Sequence, residues 1–202
     1  PSRDVFSYLT YIAGGVSGKR QILRASDALN RPEKSDLEDA YTSVFLFDET
    51  LKKYAAAHEG SVKGFAGPHY ARGLHWDIDC EEDPSKSQDS ALQLCNRLMV
   101  EYEAIPDQLL IFFSGNKGFH VLLWDAFDID PGEDTHEAVR KMAHKIARGI
   151  PYIDDVYDIA RLWRLHNTKH RKTGLYKVRL RYEELEALDI DGIKGLATDK
   201  RE

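Results

Sequence analysis

The stretch LLIFFSGNKGFHVLLW, Leu109 to Trp124, constrains the fold more than any other part of this chain. Two apolar runs flank a loop of Ser114, Gly115, Asn116, Lys117 and Gly118, and five residues are far too few for a parallel crossover. The runs must therefore pair as an antiparallel hairpin. Counting alternation from the turn, Phe119, Val121 and Leu123 share one face, which reads as core, while His120 shares the other with Gly118 and Leu122. The two glycines permit tight or left-handed backbone, so that loop amides can converge on an anion, with Ser114 and Lys117 as further donors. An ordinary hairpin carrying a hydrogen-bonded histidine satisfies the same pattern.

Around the hairpin, Leu74, Trp76 and Ile78 alternate with His75, Asp77 and Asp79, which predicts a strand. Helical spacing predicts a helix from Ser87 to Tyr102, ended by Pro106, and another from Thr135 to Ile150. Short strands follow at Arg161–Leu165 and Leu175–Leu180, then a short helix at Tyr182–Leu188. The first sixty residues read as helical: apolar positions recur through DVFSYLTYIAG, and Ser35-Asp36-Leu37-Glu38 offers a cap before a run from Ala40 to Ala57. This order predicts an α+β fold with a mixed, partly antiparallel sheet. With 202 residues, 42% of them hydrophobic, the chain can bury a substantial core as one compact domain of two lobes: a helical support region over 1–60 and a core over 61–202.

Two cysteines, Cys80 and Cys95, are too few for a four-thiolate zinc site and form no disulfide framework, so a reducing, cytoplasmic setting is expected. No apolar run reaches the roughly 18–20 residues that span a bilayer, which excludes a helical membrane anchor within this sequence. The chain starts with Pro1, which reads as a processed chain or an excised domain.

A net charge of −6 argues at first against a nucleic-acid partner, but the charge is segregated. From Ile159 to Tyr182 the charged residues are all basic; from Asp77 to Asp89 six acids stand with Lys86 as the only base. Asp77 and Asp79, at i and i+2 on a strand, place two carboxylates on one side about 7 Å apart, a span that hard cations can bridge. A bare D-x-D also suits a solvated strand edge. Asp154, Asp155 and Asp158 are the candidates for a third oxygen ligand. In the basic segment, Trp163, Leu165, Leu175 and Val178 interleave with the charges as in a strand with one wet, cationic face, suited to polyphosphate or a nucleic-acid backbone. KGFHVLLW also overlaps loosely with an RNA-recognition signature, but His120 and Val121 break it.

Taken together, the acidic D-x-D strand, the S-G-x-x-G-x-H hairpin and an acid followed by basic residues and K-T-G-L resemble the catalytic core of the archaeo-eukaryotic primase superfamily. The similarity is to primase-polymerases of plasmid, phage or CRISPR-associated type, and it covers roughly Arg72 to Leu180. It implies an RRM-like catalytic subdomain flanked by helices. It implies that Asp77, Asp79 and Asp158 hold two divalent ions, Mg²⁺ or Mn²⁺, and are the catalytic carboxylates. By the same resemblance Ser114, Gly115, Lys117, Gly118, His120, Arg164, His170 and Lys172 bind the nucleotide, with Arg161 also matching the pattern. Arg171, Lys177 and Arg179 are left to contact a single-stranded template. Where family members often read Pro-Gly-Ser, this chain has His166-Asn167-Thr168, and the zinc cluster of many relatives is missing.

The activity so implied is template-directed nucleotidyl transfer from NTPs or dNTPs onto a primer paired with single-stranded DNA, with a helicase or other domains as expected neighbours in a full-length protein. The alternatives are a metal-dependent nuclease, which a triphosphate loop speaks against, and a single-strand-binding module without chemistry.

Overall fold

The computed structural model describes residues 2–15, 18–29 and 39–201. It is an α+β structure built on two antiparallel sheets. The first sheet contains β1 (Tyr8–Ile12), β2 (Gln21–Arg24), β3 (Tyr41–Ser43), β4 (Leu46–Phe47), β5 (His69–Tyr70) and β10 (Leu162–Arg164). Its order is β10-β3-β1-β4-β5, with β2 also on β1. The second sheet has the order β11-β7-β8-β6-β9, from β6 (Gly73–Ile78), β7 (Leu109–Phe113), β8 (Phe119–Trp124), β9 (Ile153–Asp154) and β11 (Val178–Leu180). Every registered strand pair is antiparallel, so the sheet expected to be mixed is uniform among the described residues. No helix among them is long and apolar enough to cross a membrane.

One face of the second sheet carries Trp76, Ile78, Ile111, Phe113, Phe119, Val121, Leu123, Val178 and Leu180, all buried. Against it pack α3 (Pro84–Glu101) and α4 (Thr135–Ile146). Their apolar stripes, Ala91, Leu94, Cys95 and Leu98 on α3 and Val139, Ala143 and Ile146 on α4, recur at helical spacing and are buried. Burying each such large side chain stabilises the fold by roughly 1.5–3 kcal/mol. Trp76 also satisfies its indole N–H, which donates to the Ala143 carbonyl at 3.0 Å. Helix α3 starts where the chain dictates: Asp83 accepts from the Ser85 amide, and Pro84 takes the first turn, where no amide is needed. The C-terminal α5 (Tyr182–Ala187) and α6 (Ile190–Leu196) pack on α3.

The first sixty residues are not helical as expected. Their described α-helices are α1 (Ala25–Leu29) and α2 (Glu49–Ala57), with a 3-10 turn at Arg3–Val5; four strands, β1 to β4, and connecting loops make up the rest. Every residue of β1 is buried, so neither an alternating nor a helical stripe marks it, and its Tyr, Leu, Thr and Ile are strand formers when both faces are covered. Of the run expected to be one helix from Ala40 to Ala57, only the part after Asp48 is helical, with Asp48 accepting from the Thr50 amide as its cap. The cap expected at Ser35–Glu38 lies outside the described residues. β5 and β10, which follow residue 60, join the first sheet.

Candidate functional site

Register on the second sheet sets out the site. Arg179 stands opposite Phe112, Phe112 opposite His120, His120 opposite Asp77, and Asp77 opposite Asp154, so five residues from five strands form one row across the sheet. The row lies on the face opposite the helices, because its neighbours on each strand, such as Ile111, Val121 and Trp76, point into the core. The alternation expected for His120 is found. It is nevertheless only 7% exposed, since Trp163 of β10 lies over it with ring centroids 4.4 Å apart.

Beside this row is a cavity of about 200 Å³ lined by Asp77, Asp79, Ser114, Lys117, His120 and Arg164, with Gly118, His170, Tyr41 and Trp163 also in its wall. The hairpin loop reaches it because Gly118 sits hard against β6: a Cβ there would lie 2.6 Å from the Ile78 carbonyl oxygen. Ser114 closes the loop, its amide donating to the Gly118 carbonyl at 2.9 Å and its Oγ accepting from the Gly118 amide at 3.2 Å. Gly115 has φ +85°, and the Thr173 hydroxyl donates to its carbonyl, which fastens the Lys172–Leu175 turn onto the hairpin. The hairpin and basic segments are thus brought together. His170 borders the cavity, its Nδ1 accepting from the Lys172 amide at 3.1 Å, and the Lys172 side chain is exposed nearby.

The carboxylates lie unequally. Burial, followed by Asp154, pushes Asp77 up to about 6, with Lys177 and Arg161 opposing. Asp154 is also raised, by burial and then by Asp79. Asp79 keeps Oδ2 3.3 Å from the Lys117 ammonium, which also binds Glu81 at 2.9 Å; its buried Oδ1 has no hydrogen-bond partner. His120 Nε2 is 3.5 Å from Asp77 Oδ1, and burial, with Lys177 next, holds the imidazole well below its ordinary pKa.

Asp158 is not in this group. After β9 the chain leaves the sheet, anchored by the Tyr157 hydroxyl on the His75 carbonyl at 2.8 Å. Asp158 then pairs with Arg161 at 2.9 Å and lines a separate cavity of about 320 Å³ with Thr10, Arg20 and His136. The residue that strand pairing places beside Asp77 is Asp154; Asp155 is held instead by Arg140, whose Nε donates to it at 2.9 Å. Among the described residues no three His, Cys, Asp or Glu side chains form a ready-made metal site. The donor chemistry does fit a hard divalent cation: Asp77 and Asp154 are raised in proton affinity and Asp79 keeps one orphaned buried oxygen, and both are what such an ion relieves.

Arg164 enters the cavity from β10. Its Nη2 is 3.1 Å from Asp39 and donates to the Tyr41 hydroxyl at 2.8 Å, which leaves its buried Nε and Nη1 without partners. Asp39 and Tyr41 were not legible as site residues, because only the pairing of β10 with β3 brings them here. The residues expected to contact template differ in exposure. Arg171 lies exposed near Asp39, donating to the Gly14 carbonyl at 3.2 Å, and Arg179 is exposed on β11 beside a groove that also contains Arg181 and Glu184. Lys177 is 3% exposed and points inward, which removes it from any template surface. The His166-Asn167-Thr168 departure forms a turn: Asn167 has φ +58°, its side chain exchanges hydrogen bonds with the Arg201 backbone, and Thr168 Oγ1 donates to the Leu165 carbonyl at 2.8 Å.

No protein-family model matches this chain, and neither does any curated protein.

Proposed function

We propose that this chain is a template-directed nucleotidyltransferase, a DNA primase-polymerase of the archaeo-eukaryotic primase kind. The observation that carries the reading is the convergence of three separated sequence segments, Asp77 with Asp79, the Ser114–His120 hairpin and the Arg164–Lys172 segment, on the one cavity. Chance alternation of charge has no reason to bring acids, a glycine loop and basic residues to one point. An antiparallel sheet with helices on one face and the polar row on the other also suits an RRM-like catalytic subdomain.

In this reading Asp77, Asp79 and Asp154 would hold divalent ions, Mg²⁺ or Mn²⁺, which when bound lower the pKa of a 3′-hydroxyl and offset charge on a departing pyrophosphate. Asp154 thus replaces Asp158 in the set. Arg164, in the cavity wall and with two buried nitrogens lacking a hydrogen-bond partner, would bind triphosphate oxygens from one side. His120 donates from Nε2, and the hairpin amides with Lys117 supply donors from the other side. Asp39 and Tyr41 hold the Arg164 fork in place, so little order is lost when phosphate binds. The strand to be copied is single-stranded DNA. Cys80 and Cys95, both buried and free, suit a reducing cytoplasm.

The test incubates the protein with a single-stranded DNA template, labelled NTPs or dNTPs and Mg²⁺ or Mn²⁺, with and without an annealed primer. Labelled product with the wild-type chain and none with Asp77→Ala/Asp79→Ala is expected. Template binding in EDTA with no product under any condition would favour the non-catalytic binding module instead.

A further inference from the structure

One buried charged group has no part in the chemistry above. Lys177 belongs to a run of basic residues that a sequence assigns to solvent, yet its ammonium is held inside the protein. Nζ lies 2.7 Å from Nδ1 of His120 and 2.9 Å from the Arg164 carbonyl, between the rings of Phe112 and Trp163 at 4.8 and 5.2 Å. Its backbone is fixed too: the Lys177 amide donates to the Thr168 carbonyl at 3.1 Å, and its carbonyl accepts from Asn167 at 2.7 Å. Burying an amine this deeply is costly without compensation, and a methionine-like apolar residue would fill the space more cheaply.

We propose that Lys177 is a positioning residue, which by donating to Nδ1 of His120 fixes the imidazole in the tautomer that carries its proton on Nε2 and aims that N–H into the Asp77 cavity. The inference rests on the reading of that cavity as a triphosphate site.

A neutral imidazole has one donor and one acceptor nitrogen, so a donor at Nδ1 dictates a proton at Nε2. As an ammonium Lys177 has no lone pair, so it can meet its two partners, the imidazole Nδ1 and the Arg164 carbonyl, only as a donor. The ring faces of Phe112 and Trp163 accept the remaining positive edge of the group. On the far side of the ring, Nε2 faces Asp77 Oδ1 at 3.5 Å, at the cavity wall. The arrangement is the reverse of that in metal-ligating histidines, whose second nitrogen donates to a fixed outer partner; here the second nitrogen accepts, and the ring presents an N–H in place of a lone pair. The same amine also ties the Arg164 backbone to His120, so the two cavity walls are registered through one atom.

The test reads the tautomer directly, in nitrogen-15 imidazole spectra of the wild-type protein, with His120 assigned by a His120→Gln variant. A proton on Nε2 and a bare Nδ1 are expected; a protonated Nδ1 with a bare Nε2 overturns the proposal whether or not any variant folds. Lys177→Met, with its fold checked by circular dichroism, should weaken ATP binding in the presence of Mn²⁺ by roughly 10–100-fold, the range seen when outer partners of ligand histidines are removed. The same change in a His120→Ala background should have no further effect, whereas additive losses would reduce Lys177 to a packing role and refute it. If the wild-type chain binds no nucleoside triphosphate at all, the functional reading fails, while the spectra still decide the Lys177 contact.

Discussion

Gly118→Ala tests how the fold builds the site. The added Cβ would lie 2.6 Å from the Ile78 carbonyl oxygen and 3.4 Å from Cβ and Cγ of Asp79. The first contact is with backbone that cannot recede, because Ile78 is paired to Phe119 on one side and Ile153 on the other, and its side chain is fully buried. Overpacking of this kind costs about 1–3 kcal/mol. For a chain of this size each kcal/mol lowers Tm by about 2–4 °C, so thermal unfolding followed by circular dichroism resolves the effect. Gly132→Ala is the control: a Cβ there meets nothing within 4 Å, and the change should stay within about 0.5 kcal/mol. Whatever relief Gly118→Ala finds must come from moving Asp79 or the hairpin loop, so activity should fall further than stability, by up to ~100-fold for a displacement near 1 Å. A Gly118→Ala protein as stable as the Gly132→Ala control would refute the close approach on which the site depends.

Further outcomes follow from burial and charge. Asp77 titrates near 6 in the folded protein against about 4 when unfolded, so the native state holds the extra proton and stability falls as pH rises from about 4 to about 6. Asp77→Asn should therefore be more stable than wild type by about 2–3 kcal/mol above pH 6 in EDTA, with the difference vanishing below pH 4; an equal gain at both pH values would contradict the burial argument. Leu94→Ala, at the fully buried centre of α3, should cost about 2–5 kcal/mol by urea denaturation. Cys95 is fully buried and its thiol is pushed up to about 12, while Cys80 is 5% exposed, so neither should react with a thiol reagent until the protein unfolds.

What the sequence revealed follows from how local each signal is. The hairpin, β6, α3 and α4 carry their own periodicity and breakers, and they lie where spacing puts them. β1 does not, because a strand buried on both faces loses the alternation that would mark it. Asp77, Ser114 and His120 could be placed because they sit on those well-marked strands and their turn, and Asp79 because it directly follows β6. Choosing among Asp154, Asp155 and Asp158 was not possible from spacing, since a strand of two residues decides which acid faces Asp77. The basic run misled for a related reason. Lys177 and Arg179 alternate onto one face, but Trp163 covers only the first, and that cover comes from β10 on the other sheet.

The most direct test of the account is nucleotide incorporation on a primed single-stranded DNA template, compared between Asp154→Ala and Asp158→Ala. The geometry predicts that the wild-type chain and Asp158→Ala extend the primer and that Asp154→Ala does not. Extension by Asp154→Ala at the wild-type rate, or no extension by the wild-type chain with either Mg²⁺ or Mn²⁺, would contradict it.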